Sequence, residues 1–286
     1  MHKTDKKYTN QTPEFIDNHQ REYKRLTNIK AGNGYGKVFI TGFGPGDPEL
    51  LTIKALKAIE AADIIYFDDL VDQDFLRKFP AERVYVGKRK GNHSHSQDQI
   101  NEFLYKSAME GKNTVRLKGG DPFIFGRGGE ELKYLKERFI EVEIIPGISA
   151  AFGAASEMGI PLTSRGISSS VAFCTGFPKN HDKIPSADTI VFYMAASTIQ
   201  ETAIHLLKTG LKSNTPVVLV KNATLKNQQS IFSNLEEISK GKISLSSPMI
   251  AIIGEVAREN SCGFLNKMPL GFPEFIKEME IQPETV

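Results

Sequence analysis

The sequence predicts a two-domain α/β protein, with a mostly parallel sheet in its N-terminal half and a mixed sheet in its C-terminal half. Between residues 37 and 147, short apolar runs alternate with amphipathic stretches, the pattern of βα units that feed a parallel sheet. Beyond residue 148 the apolar runs continue, but helical stretches between them are fewer, which favours a mixed sheet. The run Pro146-Gly147-Ile148-Ser149-Ala150-Ala151 separates the halves, and its small side chains permit close backbone packing. A chain of 286 residues, 40% hydrophobic and 24% charged, suits one large domain or two ordinary ones.

The elements follow in order. Residues 1–36 are rich in Lys, Asn, Gln and Thr and form a polar extension ending in a glycine-rich linker. The folded part begins with a strand at 37–41, which runs into the turn Gly42-Phe43-Gly44-Pro45-Gly46-Asp47-Pro48. The next helix starts at Asp47-Pro48 or at Thr52, because Asp and Thr are good N-caps and proline suits the first helical position. Ile53, Leu56, Ile59 and Ala62 space its apolar face. A strand at 63–67 delivers Asp68 and Asp69 at its end, and a third, at 83–86, ends in Gly87-Lys88-Arg89-Lys90-Gly91. A helix at 97–110, a strand at 114–117, a helix from Glu130 and a strand at 142–145 complete the first domain, 37–147.

In the second domain, 148–258, a helix of small residues ends near 159–161. Apolar strands follow at 171–175, 189–194, 216–220 and 249–253, with a helix near 197–207 and room for an added strand and helix in 224–247. Residues 259–286 are a weakly patterned tail.

Several function classes are disfavoured. A net charge of +2 and the absence of tryptophan argue against a nucleic-acid-binding module built on a basic surface with stacking aromatics. Cys174 and Cys262 form no CxxC pair, and His93-Ser94-His95 has no third ligand nearby, so no metal is expected. No apolar run is long enough for a membrane helix, and the polar N-terminus carries no signal-peptide core, so the expected location is the cytoplasm.

The glycine turns carry the chemistry. Gly42-Phe43-Gly44 follows a strand, but a dinucleotide fingerprint needs a third glycine where Asp47 stands, which disfavours a nicotinamide oxidoreductase. A phosphate loop needs Gly-Lys-Ser/Thr where Gly46-Asp47-Pro48 stands, and a carboxylate there repels phosphate. The second turn, Gly119-Gly120-Asp121-Pro122-Phe123-Ile124-Phe125-Gly126-Arg127-Gly128-Gly129-Glu130-Glu131, again combines bare backbone with an acid and apolar walls. A cationic or zwitterionic small molecule with a flat base fits both turns, and S-adenosylmethionine (SAM) is such a molecule.

These turns belong to a longer ordered set: Val86-Gly87-Lys88-Arg89, Arg116-Leu117-Lys118 leading into the second turn, Ile145-Pro146-Gly147-Ile148-Ser149-Ala150, and Gly159-Ile160-Pro161-Leu162-Thr163-Ser164-Arg165. The set resembles the tetrapyrrole methylase family across residues 37–258, and within it the members that act on uroporphyrinogen III. The resemblance implies two α/β domains with a SAM cleft between them, in a homodimer. It implies transfer of methyl groups from SAM to C2 and C7 of uroporphyrinogen III, giving precorrin-2, the branch compound toward sirohaem and cobalamin. A later precorrin methylase of the same fold is the alternative. Matched motif by motif, SAM contacts fall on Pro45, Gly119, Gly120, Asp121, Ile124, Ser149, Ala150, Met194 and Ala223. Asp68 and Lys88 match positions with acid–base roles, at strand C-termini where open α/β sheets place ligands. The substrate is a polycarboxylate, so Arg89, Arg116, Arg127 and Arg165, with His93, are candidate substrate contacts. Ser164 and Phe177 stand where the family often has histidine, in the half expected to shape the substrate side.

Overall fold

The structure is a computed structural model that describes residues 34–87, 95–176, 184–243 and 245–258. The N-terminal extension up to residue 33, Lys88, Arg89, His93, Phe177, Cys262 and the tail lie outside the described residues. The chain divides between Ser149 and Ala150 into two compact units.

The first unit is built on a five-stranded sheet. Its strands are β1 (Val38–Gly44), β2 (Ile64–Phe67), β3 (Glu82–Tyr85), β4 (Thr114–Gly119) and β5 (Val142–Ile145), in the order β3-β2-β4-β1-β5. Every pairing is parallel. β1 is buried along its whole length and β4 along all but its last residue, as expected for central strands covered on both faces. The edge strand β3 begins with two exposed charged residues, Glu82 and Arg83, which suits an edge.

Alternation sends successive side chains of each strand into different cores. On one face Phe39, Phe43, Ile65, Phe67, Val115 and Leu117 pack with the helix α1 (Ile53–Glu60) and the single turn α2 (Gln73–Leu76). On the other, Val38, Ile40, Ile64 and Tyr66 pack with α3 (Gln97–Met109) and α4 (Gly128–Lys136) through Ile100, Leu104, Ala108 and Leu135.

Local chemistry sets the boundaries. Both expected helix starts after β1 are used. Asp47 caps a one-turn 3-10 helix at Pro48–Leu50, and the Thr52 hydroxyl accepts the Ala55 N–H at 3.1 Å to start α1. Ser96 and Gln99 form a reciprocal capping box on α3, at 3.2 and 2.8 Å. α4 starts at Gly128, ahead of the expected Glu130, and β1 continues through the glycines to Gly44. A register shift between Gly42 and Gly44 keeps this extension paired with β4. No periodicity announces α2, because four residues are too few to show a period.

The second unit contains β6 (Val171–Thr175), β7 (Thr189–Tyr193), β8 (Pro216–Lys221), β9 (Gln229–Asn234) and β10 (Met249–Ile253), in the order β6-β7-β10-β8-β9. Only β6 and β7 pair in parallel; the remaining pairs are antiparallel, so this sheet is mixed. Because β10 runs against both β7 and β8, the C-terminal ends of β6, β7 and β8 share one edge. Its helices are α5 (Ala150–Glu157), α6 (Ile199–Lys208) and α7 (Leu235–Ser239). The core joins Phe192, Val217, Leu219 and Ala251 to Ile199, Ala203, Leu206, Leu235 and Ile238. A 3-10 turn at Glu255–Arg258, unannounced by the sequence pattern, closes the described part.

Candidate active site

In the first unit, three turns meet at the C-terminal ends of β1, β4 and β5. Gly44 and Gly120 exchange backbone hydrogen bonds, N–H to O at 3.2 and 2.7 Å, so the two glycine turns form one structure. The contact depends on missing side chains. A Cβ on Gly42 would lie 2.5 Å from the Gly120 carbonyl oxygen and 2.6 Å from the Gly147 Cα, and one on Gly147 would strike the same carbonyl. Pro45, Gly119, Gly120, Asp121, Ile124 and Ser149 all sit on or beside this edge.

The Asp121 carboxylate is the knot. Oδ1 accepts the Phe123 N–H at 2.8 Å, and Oδ2 accepts the Gly147 N–H at 3.1 Å. It binds the β4 turn to the β5 turn, a role beyond the ligand contact expected of it. The loop then wraps around the Pro122 carbonyl, which accepts the Gly128 N–H at 3.0 Å. Phe125 and Arg127 are held at φ 54° and 60°, left-handed conformations that cost non-glycine residues free energy and persist where surroundings impose them. Phe123 and Phe125 are exposed, so the turn displays aromatic surface beside bare backbone.

Beneath the turn lies a buried cluster of charges. Arg116 and Lys118, two apart on β4, point to the same face, toward α3 and α4. Glu131, fully buried on α4, receives both: its Oε1 is 3.1 Å from Arg116 Nε and 3.0 Å from Lys118 Nζ, with Gln97 Nε2 donating at 3.2 Å. Arg116 also donates to the Leu117 carbonyl at 2.8 Å and reaches the Asp68 Oδ2 at 3.5 Å. Burial pushes the Lys118 ammonium below its ordinary pKa; Arg116 beside it acts the same way, and Glu131 opposes them.

Asp68 stands at the rim, at the end of β2. Its side chain is 25% exposed, and Oδ1 accepts the Leu70 N–H at 3.2 Å. Asp69 turns elsewhere and accepts from the Tyr85 hydroxyl at 2.5 Å. The two acids therefore part as strand alternation predicts.

Two candidate substrate arginines are engaged within the chain. The Arg116 guanidinium is 5% exposed and committed to Glu131, Leu117 and Asp68, so it cannot also serve as a surface clamp. Arg127 makes a bidentate pair with Glu130, at 2.8 and 2.6 Å, which raises its pKa and lowers that of Glu130. Arg165 is exposed, in a turn closed by the Ser164–Ser168 bridge. Sequence reasoning overlooked Glu131 and Lys118. A signal existed: Gly128, Glu131 and Leu135 share the buried stripe of α4, and a charge on such a stripe needs a buried partner.

In the second unit, the shared edge of β6, β7 and β8 also carries strained residues. Met194, Asn222 and Thr224 have φ of 54°, 51° and 68°. Met194 is exposed, and Ala223 is buried between its two strained neighbours. Thr224 N–H donates to the Gln228 side chain at 2.8 Å, and the Thr198 hydroxyl donates to the Gly176 carbonyl, so the edge is braced by side chains. Ala150 is the first residue of α5.

The family model described as Tetrapyrrole (Corrin/Porphyrin) Methylases matches residues 37–239, which include both glycine turns and most of the second sheet. The chain belongs to the tetrapyrrole methylases. Among curated members of that family, a uroporphyrinogen-III C-methyltransferase of Bacillus subtilis is 44% identical over 77% of this chain and 91% of its own length. The chloroplastic S-adenosyl-L-methionine-dependent uroporphyrinogen III methyltransferase of Arabidopsis thaliana is 44% identical over 82% of this chain and 67% of its own. A siroheme synthase of Psychrobacter cryohalolentis is also 44% identical, but the tetrapyrrole methylase chain spans only 46% of its length. A solved uroporphyrin-III C-methyl transferase of Thermus thermophilus, complexed with S-adenyl homocysteine, superposes with a TM-score of 0.70 at 35% identity, covering 78% of this chain and 99% of that one.

Among the described residues, no group of three His, Cys, Asp or Glu is placed to hold a metal ion, and no helix is long and apolar enough to cross a membrane.

Proposed function

We propose that the chain is a SAM-dependent C-methyltransferase that converts uroporphyrinogen III to precorrin-2 by methylation at C2 and C7. The observation that carries the reading is the joined glycine turn at the C-terminal edge of a parallel sheet, knotted by Asp121, in a chain that matches nearly the full length of a uroporphyrinogen-III C-methyltransferase.

The turn suits SAM chemically. Bare backbone and the exposed Phe123 and Phe125 accept a flat base, and Arg116 and Lys118 are neutralised by Glu131 and Asp68, so these cations offer no polyphosphate site. SAM supplies an electrophilic methyl on a sulfonium. Pro45, Gly119, Gly120, Asp121, Ile124 and Ser149 in the first unit, and Ala150, Met194 and Ala223 in the second, are assigned to hold it. The divisions at 37–147 and 148–258 are then two working domains.

A pyrrole carbon is already nucleophilic, so the step asks the protein for alignment and exclusion of water more than for a strong base. A proton must leave the macrocycle afterwards. Asp68, part-exposed at the rim, is assigned as its acceptor, and Lys88 by its motif as a donor. Arg89, His93, Arg127 and Arg165 remain assigned to the substrate carboxylates; Arg116, buried on Glu131, is reassigned to support the site. A homodimer in the cytoplasm is part of the same reading.

Incubation of the purified protein with enzymatically generated uroporphyrinogen III and SAM, without oxygen, tests it. The expected result is a gain of two methyl groups by mass, with sirohydrochlorin-type absorption after oxidation. Cofactor binding without methyl transfer would sink the substrate assignment and leave the cofactor site standing.

A further inference from the structure

We infer that Glu131 is a positioning residue for the reaction, acting on Asp68 through Arg116. This rests on the assignment of Asp68 as proton acceptor.

Glu131 is distant from Asp68 in sequence, lies on α4 and is fully buried. The groups facing it come from four elements. β4 contributes Arg116 and Lys118, α3 contributes Gln97, the end of β2 contributes Asp68 by way of Arg116, and the start of α4 contributes Glu130 and Arg127 at the margin. Asp98 on α3 adds a further charge near Arg127.

The geometry is a chain of contacts. Three donors converge on Glu131 Oε1, and Arg116, held there through Nε, presents Nη2 to the Asp68 carboxylate. Asp68 is thus fixed from two sides, by the Leu70 N–H on Oδ1 and by Arg116 on Oδ2. Among the described residues, Glu131 Oε2 has no hydrogen-bond partner. A fully buried carboxylate so incompletely bonded is costly, and its charge is retained for what it does to its neighbours.

What it does is balance. Arg116 and Lys118 carry two positive charges, and Glu131 and Asp68 carry two negative. With Glu131 present, Arg116 is shared, and Asp68 keeps only a long contact to it. With Glu131 neutral, Arg116 loses its nearer partner and is free to close on Asp68, and a guanidinium brought closer favours the charged form of a carboxylate. Glu131 therefore sets where Asp68 points and how close the Arg116 charge comes to it.

The test is the pH dependence of kcat/KM in Glu131→Gln, with anaerobic uroporphyrinogen III as substrate. The expected result is a fall in kcat of about tenfold to a hundredfold, with the acid limb moved to lower pH by about one unit. Affinity for S-adenosylhomocysteine, measured by calorimetry, should stay within a factor of two or so. Glu131→Asp restores the charge, so its acid limb should return to the wild-type position while kcat stays several-fold low.

A fall in kcat with the limb unmoved would mean a packing role only and would overturn the inference, as would wild-type kinetics in Glu131→Gln. Should that variant fail to fold, Glu131→Asp decides: wild-type kcat there is also fatal. Asp68→Asn separates the two readings. If it is inactive while Glu131→Gln keeps a wild-type profile, only the positioning role falls; if it is fully active, the Asp68 assignment falls as well.

Discussion

The joined turns depend on particular residues having no side chain, which makes glycine substitutions an informative pair. A Cβ on Gly42 would meet backbone of both neighbouring turns, which cannot swing aside as a side chain can. Gly42→Ala is expected to destabilise the fold by at least about 2 kcal/mol and to weaken S-adenosylhomocysteine binding in parallel. Gly129, in the first turn of α4, has nothing within 4 Å of the corresponding position. Gly129→Ala is expected to be neutral or to stabilise by up to about 1 kcal/mol. Urea unfolding of both variants checks the contrast; equal effects would mean that the turns yield to a methyl group. At this scale the sequence was readable in part. The glycine-and-acid pattern located the turns, but it could not show that Asp121 spends its carboxylate on two backbone N–H groups. Nor could it show that Arg116 faces inward, because that depends on a partner, Glu131, supplied by a different element.

Elements were more legible than contacts, because the periods of strand and helix are written locally while pairing is not. Each first-unit strand was foreseeable from its apolar run, yet the order β3-β2-β4-β1-β5 arises from non-consecutive pairing that no single segment displays. The join between β1 and β5 shows what pairing adds. Lys37, just before β1, bridges Glu141 at 2.9 Å and Glu143 on β5 at 2.8 Å, and Lys54 on α1 reaches Glu143 at 2.5 Å. Burial alone would raise the Glu143 pKa, but hydrogen bonds from Lys37 and Lys54 outweigh it and hold the carboxyl below its ordinary 4.5. A carboxylate whose pKa is depressed by folding stabilises the fold above its unfolded pKa, and that contribution is lost as pH falls through the folded value. Stability is therefore expected to decline as pH drops below 4.5, and Glu143→Gln should flatten that decline while lowering stability at neutral pH. Thermal unfolding between neutral pH and about pH 3 measures it; an unchanged slope in the variant would remove Glu143 from the acid response.

On the scale of the whole molecule, the contrast between a parallel and a mixed sheet was visible in the spacing of apolar runs, but strain at sheet edges was not, since a sequence carries no φ angles. The residues assigned to the cofactor divide between the two units, and the second unit's share includes the most exposed of its strained positions. Met194 follows β7 at φ 54° with its side chain in solvent. A left-handed conformation costs a residue with a Cβ about 1–2 kcal/mol, whereas glycine adopts it freely but gives up about 0.5–1 kcal/mol of chain entropy. Met194→Gly therefore trades two terms of similar size, and its unfolding free energy should lie within about 1 kcal/mol of wild type. If the strain is retained because the thioether side chain contacts the cofactor, the same variant should bind S-adenosylhomocysteine at least about fivefold more weakly, a loss near 1 kcal/mol. Stability and affinity then move independently, which a residue serving only the fold would not allow. Calorimetric titration beside urea unfolding separates the outcomes: unchanged affinity would exclude Met194 from the cofactor site and confine the assigned contacts of the second unit to Ala150 and Ala223.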